Sequence, residues 1–342
     1  MFFSKKNIHI TTCEKFINAY VELVNTEFDA KDHLFFILNQ NDKYPIIGSN
    51  VIFLSGLFSY IRLVFFLCYS KKIFFHSFSG YKALLFPFIF RFILKKSYWL
   101  VWGADLYAYN NKCVNINQKI KEAIRRSVFK NIGHIVSYIK GDLDLAEKWY
   151  RNKSQRHNCI FYQSNVFHDL TLPISNHQVT TILVGNSADK TNNHREVFNK
   201  LKAFFNINVI APLSYGDIIY AEKVVDKGQE YFGENFVALT NFMSFKDYLA
   251  LLSTVDIAIF HHNRQQAMGN IISLLGLGKK VYVNTKSTSY SALTALNLHV
   301  FQLETFNTDA LTLADINHNV SIIKEEFSYK RLVLQWTVIF EQ

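Results

Sequence analysis

The sequence predicts an α/β fold of two doubly wound domains, and three observations carry that expectation. Short apolar runs alternate with helix-patterned segments along almost the whole chain, which implies parallel sheets joined by right-handed crossovers. The runs form two series of six, more than one open sheet ordinarily holds, separated by a polar stretch containing Pro173. A length of 342 residues is enough for two domains, each with a core of its own.

The first series comprises Ile8–Thr12, His33–Leu38, Val51–Leu54, Ile73–His76, Tyr98–Trp102 and His134–Ser137. The second comprises Thr180–Val184, Ile207–Ala211, Phe236–Leu239, Asp256–Phe260, Lys280–Val283 and His299–Gln302. Most are rich in β-branched and aromatic residues and are bounded by polar or turn residues, as buried strands are. Between them Asn192–Phe205, Phe245–Ser253 and Gln266–Leu277 have helical spacing and reasonable caps. Two sheets of about six strands are expected, with the break at Leu170–Val179. Residues 1–172 would form the first domain and 178–320 the second, with a helix over 321–342 packing back on the first.

Composition narrows the function. An apolar content of 49% against 19% charged excludes intrinsic disorder. Cys13, Cys68, Cys113 and Cys159 have no paired spacing, which argues against a disulfide framework or a zinc site and fits a reducing cytoplasm. No secretory signal is expected, because Met1–Lys6 leads straight into the first predicted strand.

The net charge of +10 is localised. Residues 60–156 hold 18 Lys/Arg against 5 Asp/Glu, while the segments on either side are close to neutral. Such an excess points to an anionic partner, a membrane surface or a nucleic acid. The same stretch is the most apolar, with runs at Val51–Tyr69 (interrupted by Arg62) and Ala83–Leu94 (containing Pro87 and Arg91). A membrane span needs about 20 apolar residues, and a central Arg costs about 2.5–3.5 kcal/mol on insertion. Both runs therefore read as buried or interfacial helices, with Lys71-Lys72 and Lys95-Lys96 placed to reach phospholipid headgroups. A greasy core with a solvated rim would give similar helices, but the coincidence of charge and apolarity favours an anionic membrane. Because the aromatics sit inside apolar runs rather than among exposed basic residues, lipid is favoured over nucleic acid.

In open α/β sheets, ligands bind beyond the carboxyl ends of the strands, where helix N-termini offer free N–H groups. Two such domains are expected to face each other across a cleft. Three constellations fall at strand ends. In Leu183–His194, Gly185 permits close backbone approach and Asn186 and Ser187 add donors, an arrangement suited to a diphosphate. In Phe260–Asn270, Arg264 is a natural phosphate clamp, Gln265, Gln266 and Asn270 can bond a nucleoside or sugar, and Gly269 keeps the helix end open. The adjacent His261 and His262 have no carboxylate or cysteine nearby in sequence, so no metal is expected there. In Tyr98–Tyr107, Asp105 follows a strand and a glycine, and His76 ends the preceding strand, so the two form a possible general-base pair. A capping aspartate and a core histidine would leave the same pattern. Asp142-Leu143-Asp144 matches a metal-diphosphate DxD pattern but starts an apparent helix, so N-capping is the preferred reading.

The words LVGNSADKTNNH, RQQAMGNIISLLGLGKKVY and FFHSFSG…WLVWGADLY resemble those of glycosyltransferase family 56. Its members are TDP-N-acetylfucosamine:lipid II N-acetylfucosaminyltransferases of enterobacterial common antigen synthesis and their relatives. The resemblance implies a GT-B fold of two Rossmann-like domains, no metal and no other cofactor. It also implies a dTDP-linked 4-amino-4,6-dideoxygalactose-type donor and a polyprenyl-diphosphate-linked saccharide acceptor, in common-antigen or O-antigen assembly. The protein would be peripheral on the cytoplasmic face of the inner membrane. Carried over by position, Gly185, Asn186, Ser187, Asp189, Asn193, Arg264, Gln265, Gln266 and Gly269 belong to the donor side. His76, Gly103 and Asp105 belong to the acceptor side. Competing readings are a soluble nucleotide-sugar epimerase of the same fold, a basic nucleic-acid-binding protein, and an inactive scaffold of a polysaccharide assembly complex.

Overall fold

The computed structural model describes residues 6–41, 44–78, 80–169 and 179–341. The chain forms two compact units, one of Met1–Ser164 with Lys330–Gln342 and one of Asn165–Tyr329.

The first unit contains β1 (Asn7–Thr11), α1 (Ile17–Glu27), β2 (His33–Ile37), β3 (Val51–Phe53), α2 (Gly56–Tyr69), β4 (Lys72–His76) and α3 (Tyr81–Ile89). It continues through β5 (Ser97–Leu100), α4 (Ala104–Tyr107), α5 (Ile116–Asn131), β6 (His134–Val136), α6 (Lys140–Tyr150) and β7 (Gln155–His157). Its sheet is parallel throughout, in the order β3-β2-β1-β4-β5-β6-β7. Alternation along the strands divides two cores. Ile8, Ile10, Phe36, Ile73, Phe75 and Trp99 pack on one face with Leu63 and Leu67 of α2, Leu84 of α3 and Phe129 of α5. The opposite face turns His9, Phe35 and Phe74 toward Tyr20 of α1 and Trp336, with ring centroids 5.6 Å apart for His9–Tyr20 and 5.8 Å for Phe74–Trp336.

Trp336 belongs to the last helix, Tyr329–Glu341, which packs within the first unit. Its indole N–H donates to the Phe161 carbonyl at 2.9 Å. Lys72 Nζ donates to the carbonyls of Ile339 and Phe340 at 2.6 and 2.9 Å, satisfying acceptors that the helix end leaves open.

The second unit contains β8 (Thr180–Val184), α7 (His194–Leu201), β9 (Ile207–Pro212), α8 (Ile218–Phe232), β10 (Phe236–Leu239) and α9 (Phe245–Thr254). It ends with β11 (Ile257–Phe260), α10 (Met268–Gly276), β12 (Lys280–Val283), α11 (Thr288–Ala295) and α12 (Leu313–Glu326), which makes the final helix α13. Its sheet, also parallel, runs β10-β9-β8-β11-β12. Ile182, Val184, Val209, Ala211, Ile257 and Ile259 form the centre of its core with Phe198 and Leu201 of α7.

Among the described residues the sheets therefore have seven and five strands rather than about six each. The additional strand, Gln155-Arg156-His157, lies at a sheet edge and is too polar to stand out by hydrophobicity. His299–Gln302 is not a strand; Phe301 makes a single bridge to Tyr282. The apolar run from Val51 divides at Gly56, whose φ of +74° ends β3 and opens α2. The second run becomes α3, with Pro87 inside it, followed by a 3₁₀ turn at Arg91–Lys96. Among the described residues no helix is long and apolar enough to cross a membrane. The expected break at Leu170–Val179 lies outside the described residues except for Val179.

Candidate active site

In the second unit the strand order reverses between β8 and β11, the place where open α/β sheets bind ligands. Gly185 follows β8 with φ +71°, and its N–H donates to the Ile259 carbonyl of β11 at 2.9 Å, tying the two strand ends together. A Cβ at this position would stand 2.5 Å from Asn192 Oδ1 and 2.7 Å from His194 Nε2, so only glycine fits.

Asn192, fully buried, knits the loop after β8. Its Oδ1 accepts from the Asn186 N–H at 2.9 Å and from His262 Nε2 at 2.7 Å. Its Nδ2 donates to Ser187 Oγ at 3.3 Å and to the Asp189 carbonyl at 3.0 Å. Burial, with the nearby Arg264 charge, lowers the His262 pKa to about 3, so its ring is a neutral hydrogen-bonding strut. Gln266 then bridges the two loops, as Nε2 donates to Asn186 Oδ1 at 3.0 Å and to Ser187 Oγ at 3.4 Å. Its Oε1 lies 2.8 Å from Thr191 Oγ1.

Asp189 accepts the Thr191 N–H at 2.8 Å and meets Arg264 Nη2 at 3.4 Å. Burial raises its pKa, but the Thr191 bonds and the Arg264 charge outweigh that, and the carboxylate is held below its ordinary value. Arg264 is thus positioned by one long contact that uses one of five guanidinium N–H groups. Asn193 adopts φ +53° and donates to the His261 carbonyl at 2.7 Å and to Asn263 Oδ1 at 3.0 Å. It stands at the start of α7 without capping it.

Helix α10 begins after Ala267, which has no capping side chain and sits at φ +59°. Its first-turn N–H groups and positive dipole end therefore remain for a ligand, and Gly269 lies in that turn. Asn270 Nδ2 donates to Tyr248 OH at 3.0 Å. Gln265 is partly exposed and stands outside the hydrogen-bonded set. The structure thus links Asn186, Ser187, Asp189, Arg264 and Gln266 through Thr191 and Asn192 into one network at the β8/β11 reversal, with Gly185 and Asn193 beside it.

In the first unit the corresponding reversal lies between β1 and β4. Here the expected His76–Asp105 pair is not formed. Asp105, with no exposed surface, accepts four hydrogen bonds. Phe78 N and Trp99 Nε1 donate to Oδ2 at 3.0 and 2.8 Å, and Trp102 N and Leu106 N donate to Oδ1 at 3.1 and 2.9 Å. These bonds fasten the loops after β4 and β5 to each other, around Gly103 at φ +81°. Burial raises the Asp105 pKa against the pull of those donors. A carboxylate so enclosed offers no lone pair to a substrate proton.

His76 is buried in a chain of ring contacts. Its Nδ1 lies 2.7 Å from Tyr162 OH and its Nε2 3.1 Å from His9 Nδ1, and His9 Nε2 lies 3.0 Å from His33 Nδ1. At the other end Trp102 Nε1 donates to Tyr162 OH at 3.0 Å. Burial lowers the His76 pKa to about 3, so it is a neutral member of this chain rather than a titrating base.

The DxD-like residues do not act together. Asp142 lies in the first turn of α6 rather than at its N-cap, and accepts from Tyr107 OH at 3.1 Å. Asp144 pairs with Lys140 and Arg156 at 2.7 and 2.6 Å. Sequence reasoning passed over Glu14, a half-buried carboxylate in the loop after β1. Its only sequence signal is its place just beyond the first strand.

The model of the family described as 4-alpha-L-fucosyltransferase, glycosyl transferase group 56, matches residues 62–328. This chain belongs to that family. Solved structures agree on the fold. Sucrose-phosphate synthase from Thermosynechococcus elongatus is 10% identical, with TM-score 0.70 and 98% of each chain covered. Anabaena HepE in complex with UDP and glucose is 11% identical, with TM-score 0.68 over 98% of this chain and 99% of that one. A glycosyltransferase from Rickettsia africae ESF-5 is 13% identical, with TM-score 0.64 over 99% and 98%. The group 56 protein described here accordingly has the GT-B fold and is a glycosyltransferase.

Proposed function

We propose that this group 56 enzyme transfers a 4-acetamido-4,6-dideoxyhexose of the N-acetylfucosamine type from a dTDP-sugar to a polyprenyl-diphosphate-linked saccharide. The observation that carries the donor side is the network in which Gln266 joins the loops after β8 and β11, beside Arg264 and the uncapped start of α10. Oriented backbone N–H groups and a guanidinium offer the charge stabilisation that a departing nucleoside diphosphate needs. Asn186, Ser187, Asp189 and Asn193 shape that cradle, while Gln265 and Asn270 are assigned to nucleoside or sugar contacts. Asp105 and His76 are assigned a positioning role, as their burial favours. The dTDP assignment follows from the motif resemblance to group 56, and the UDP bound by Anabaena HepE makes UDP-sugars the informative competitors.

The test is incubation of the purified protein with a panel of dTDP- and UDP-sugars and a polyprenyl-diphosphate-linked saccharide, with and without EDTA. Transfer from a dTDP-sugar, insensitive to the chelator, is expected, with Arg264→Ala slowing it by roughly 100-fold or more. Turnover of UDP-sugars alone would remove the dTDP assignment.

An acceptor of this kind would bring the enzyme to an anionic membrane surface, on the cytoplasmic side where nucleotide sugars are found. Support comes from α2, whose outer side exposes Leu57 (73%), Phe58 (89%), Ile61, Phe65 and Tyr69 while Leu63 and Leu67 fill the core. Lys71, Lys82, Arg91 and Lys95 lie exposed in the same part of the chain, and no acidic residue occurs between Asp42 and Asp105. Fully burying a large apolar side chain is worth about 1.5–3 kcal/mol, and anionic lipid adds about 1 kcal/mol per nearby basic residue. The protein should float with phosphatidylglycerol-containing vesicles and much less with pure phosphatidylcholine. The double substitution Phe58→Ser, Ile61→Ser should release it; flotation that this variant retains in full would put the contact elsewhere.

A further inference from the structure

With Asp105 and His76 enclosed, the first unit needs another group to receive the acceptor's proton, and its β1/β4 reversal presents one. The loop after β1 is held in place on both sides of Glu14. Cys13 N donates to Asn39 Oδ1 at 2.8 Å and its Sγ lies 3.2 Å from the Asn39 carbonyl, while the Glu14 carbonyl accepts the first N–H of α1, from Ile17, at 3.0 Å. Phe16 anchors the same loop against Trp102 and Tyr162, with centroids 4.9 and 4.5 Å apart. Glu14 therefore stands at the carboxyl edge of the sheet, beside the residues that Asp105 and His76 position. Its carboxylate has no hydrogen-bond partner among the described residues. Its chain neighbour Cys13 joins Gln40, Asn41 and Tyr44, together with the apolar Pro45, Ile46 and Phe53, in lining a cavity of about 280 Å³ beyond the ends of β1 and β2.

We infer that Glu14 is the catalytic base of the transfer, taking the proton of the acceptor saccharide's hydroxyl at this edge of the first unit. The inference rests on the transferase reading above. In the step, the hydroxyl proton passes to the Glu14 carboxylate as the acceptor oxygen bonds the anomeric carbon of the donor. The bond from that carbon to the diphosphate oxygen breaks, and its electron pair leaves on the nucleoside diphosphate. Partial burial raises the Glu14 pKa despite the neighbouring Lys15, which makes it a better proton acceptor than an exposed carboxylate. The carboxylate's freedom sets it apart from Asp105, since a base must keep a lone pair for its substrate.

Glu14→Gln and Glu14→Ala are compared with the parent for transfer rate, nucleotide-sugar affinity and melting temperature. Transfer by both variants is expected to fall by about 100-fold or more, with donor affinity and melting unchanged. Added formate should restore part of the Glu14→Ala rate, which a merely structural role would not allow. A Glu14→Gln rate within threefold of the parent would overturn the inference. So would an equal loss of donor affinity, or a Glu14→Ala variant that formate does not help. A parent that transfers no nucleotide sugar would instead refute the transferase reading itself, so the two failures are distinguishable.

Discussion

Asp105→Asn should lower the melting temperature of the protein by roughly 10 °C, as well as its activity. The carboxylate accepts two donors on each oxygen. An amide in its place turns an NH₂ toward one pair, either Phe78 N and Trp99 Nε1 or Trp102 N and Leu106 N. Two buried donors then face a third donor and lose a charged acceptor. Each bond to a charged group is worth about 1.5–3 kcal/mol and an unsatisfied buried donor costs about 1–3 kcal/mol. A net loss of about 3–5 kcal/mol follows, large among single substitutions. In a protein of this size each kcal/mol moves the midpoint by roughly 2–4 °C. Calorimetry distinguishes this positioning role from a chemical one, because a variant that melts with the parent yet no longer transfers sugar would make Asp105 a reactant after all.

The second large effect is expected at Gly185→Ala. A left-handed conformation costs a residue with a Cβ about 1–2 kcal/mol, and here the added carbon also meets Asn192 Oδ1 at 2.5 Å and His194 Nε2 at 2.7 Å. Neither neighbour has room to retreat, since both are fully buried. Asn192 holds the Asn186 N–H, Ser187, the Asp189 carbonyl and His262. Displacing it would release the loop that forms the proposed diphosphate cradle. Nucleotide-sugar affinity should fall by about 100-fold, close to 2.7 kcal/mol, as read by titration calorimetry. An alanine variant that binds the donor like the parent would mean that the ligand lies away from this loop.

Much of this was legible in the residues because buried parallel strands are runs of apolar residues. Thr180–Val184, Phe236–Leu239 and Lys280–Val283 coincide with β8, β10 and β12 for that reason. Gln155–His157 escaped because an edge strand need not be apolar. The loops proposed for the donor side were singled out through Gly185 and Arg264, whose residue types carry their geometry and charge with them. Asp105 and Glu14 show the opposite case. Both are acidic residues just beyond a strand, and what separates them is enclosure: one is saturated by donors brought from Phe78, Trp99, Trp102 and Leu106, the other keeps its carboxylate unoccupied. Those partners are assembled by tertiary contacts across two loops, and no local pattern announces them.

Because Lys330–Gln342 completes the unit that begins at the other end of the chain, the second unit is an insertion within the first. Synthesis then reverses the usual order in which the earlier domain matures first. Most of Asn165–Tyr329 is synthesised and exposed before Trp336 can reach the first sheet, so the aromatic face of the older sheet lacks its cover while the second unit is being made. Until that moment Phe74 and its ring neighbours present a sticky surface to the cell, and termination between residues 164 and 336 would leave it bare.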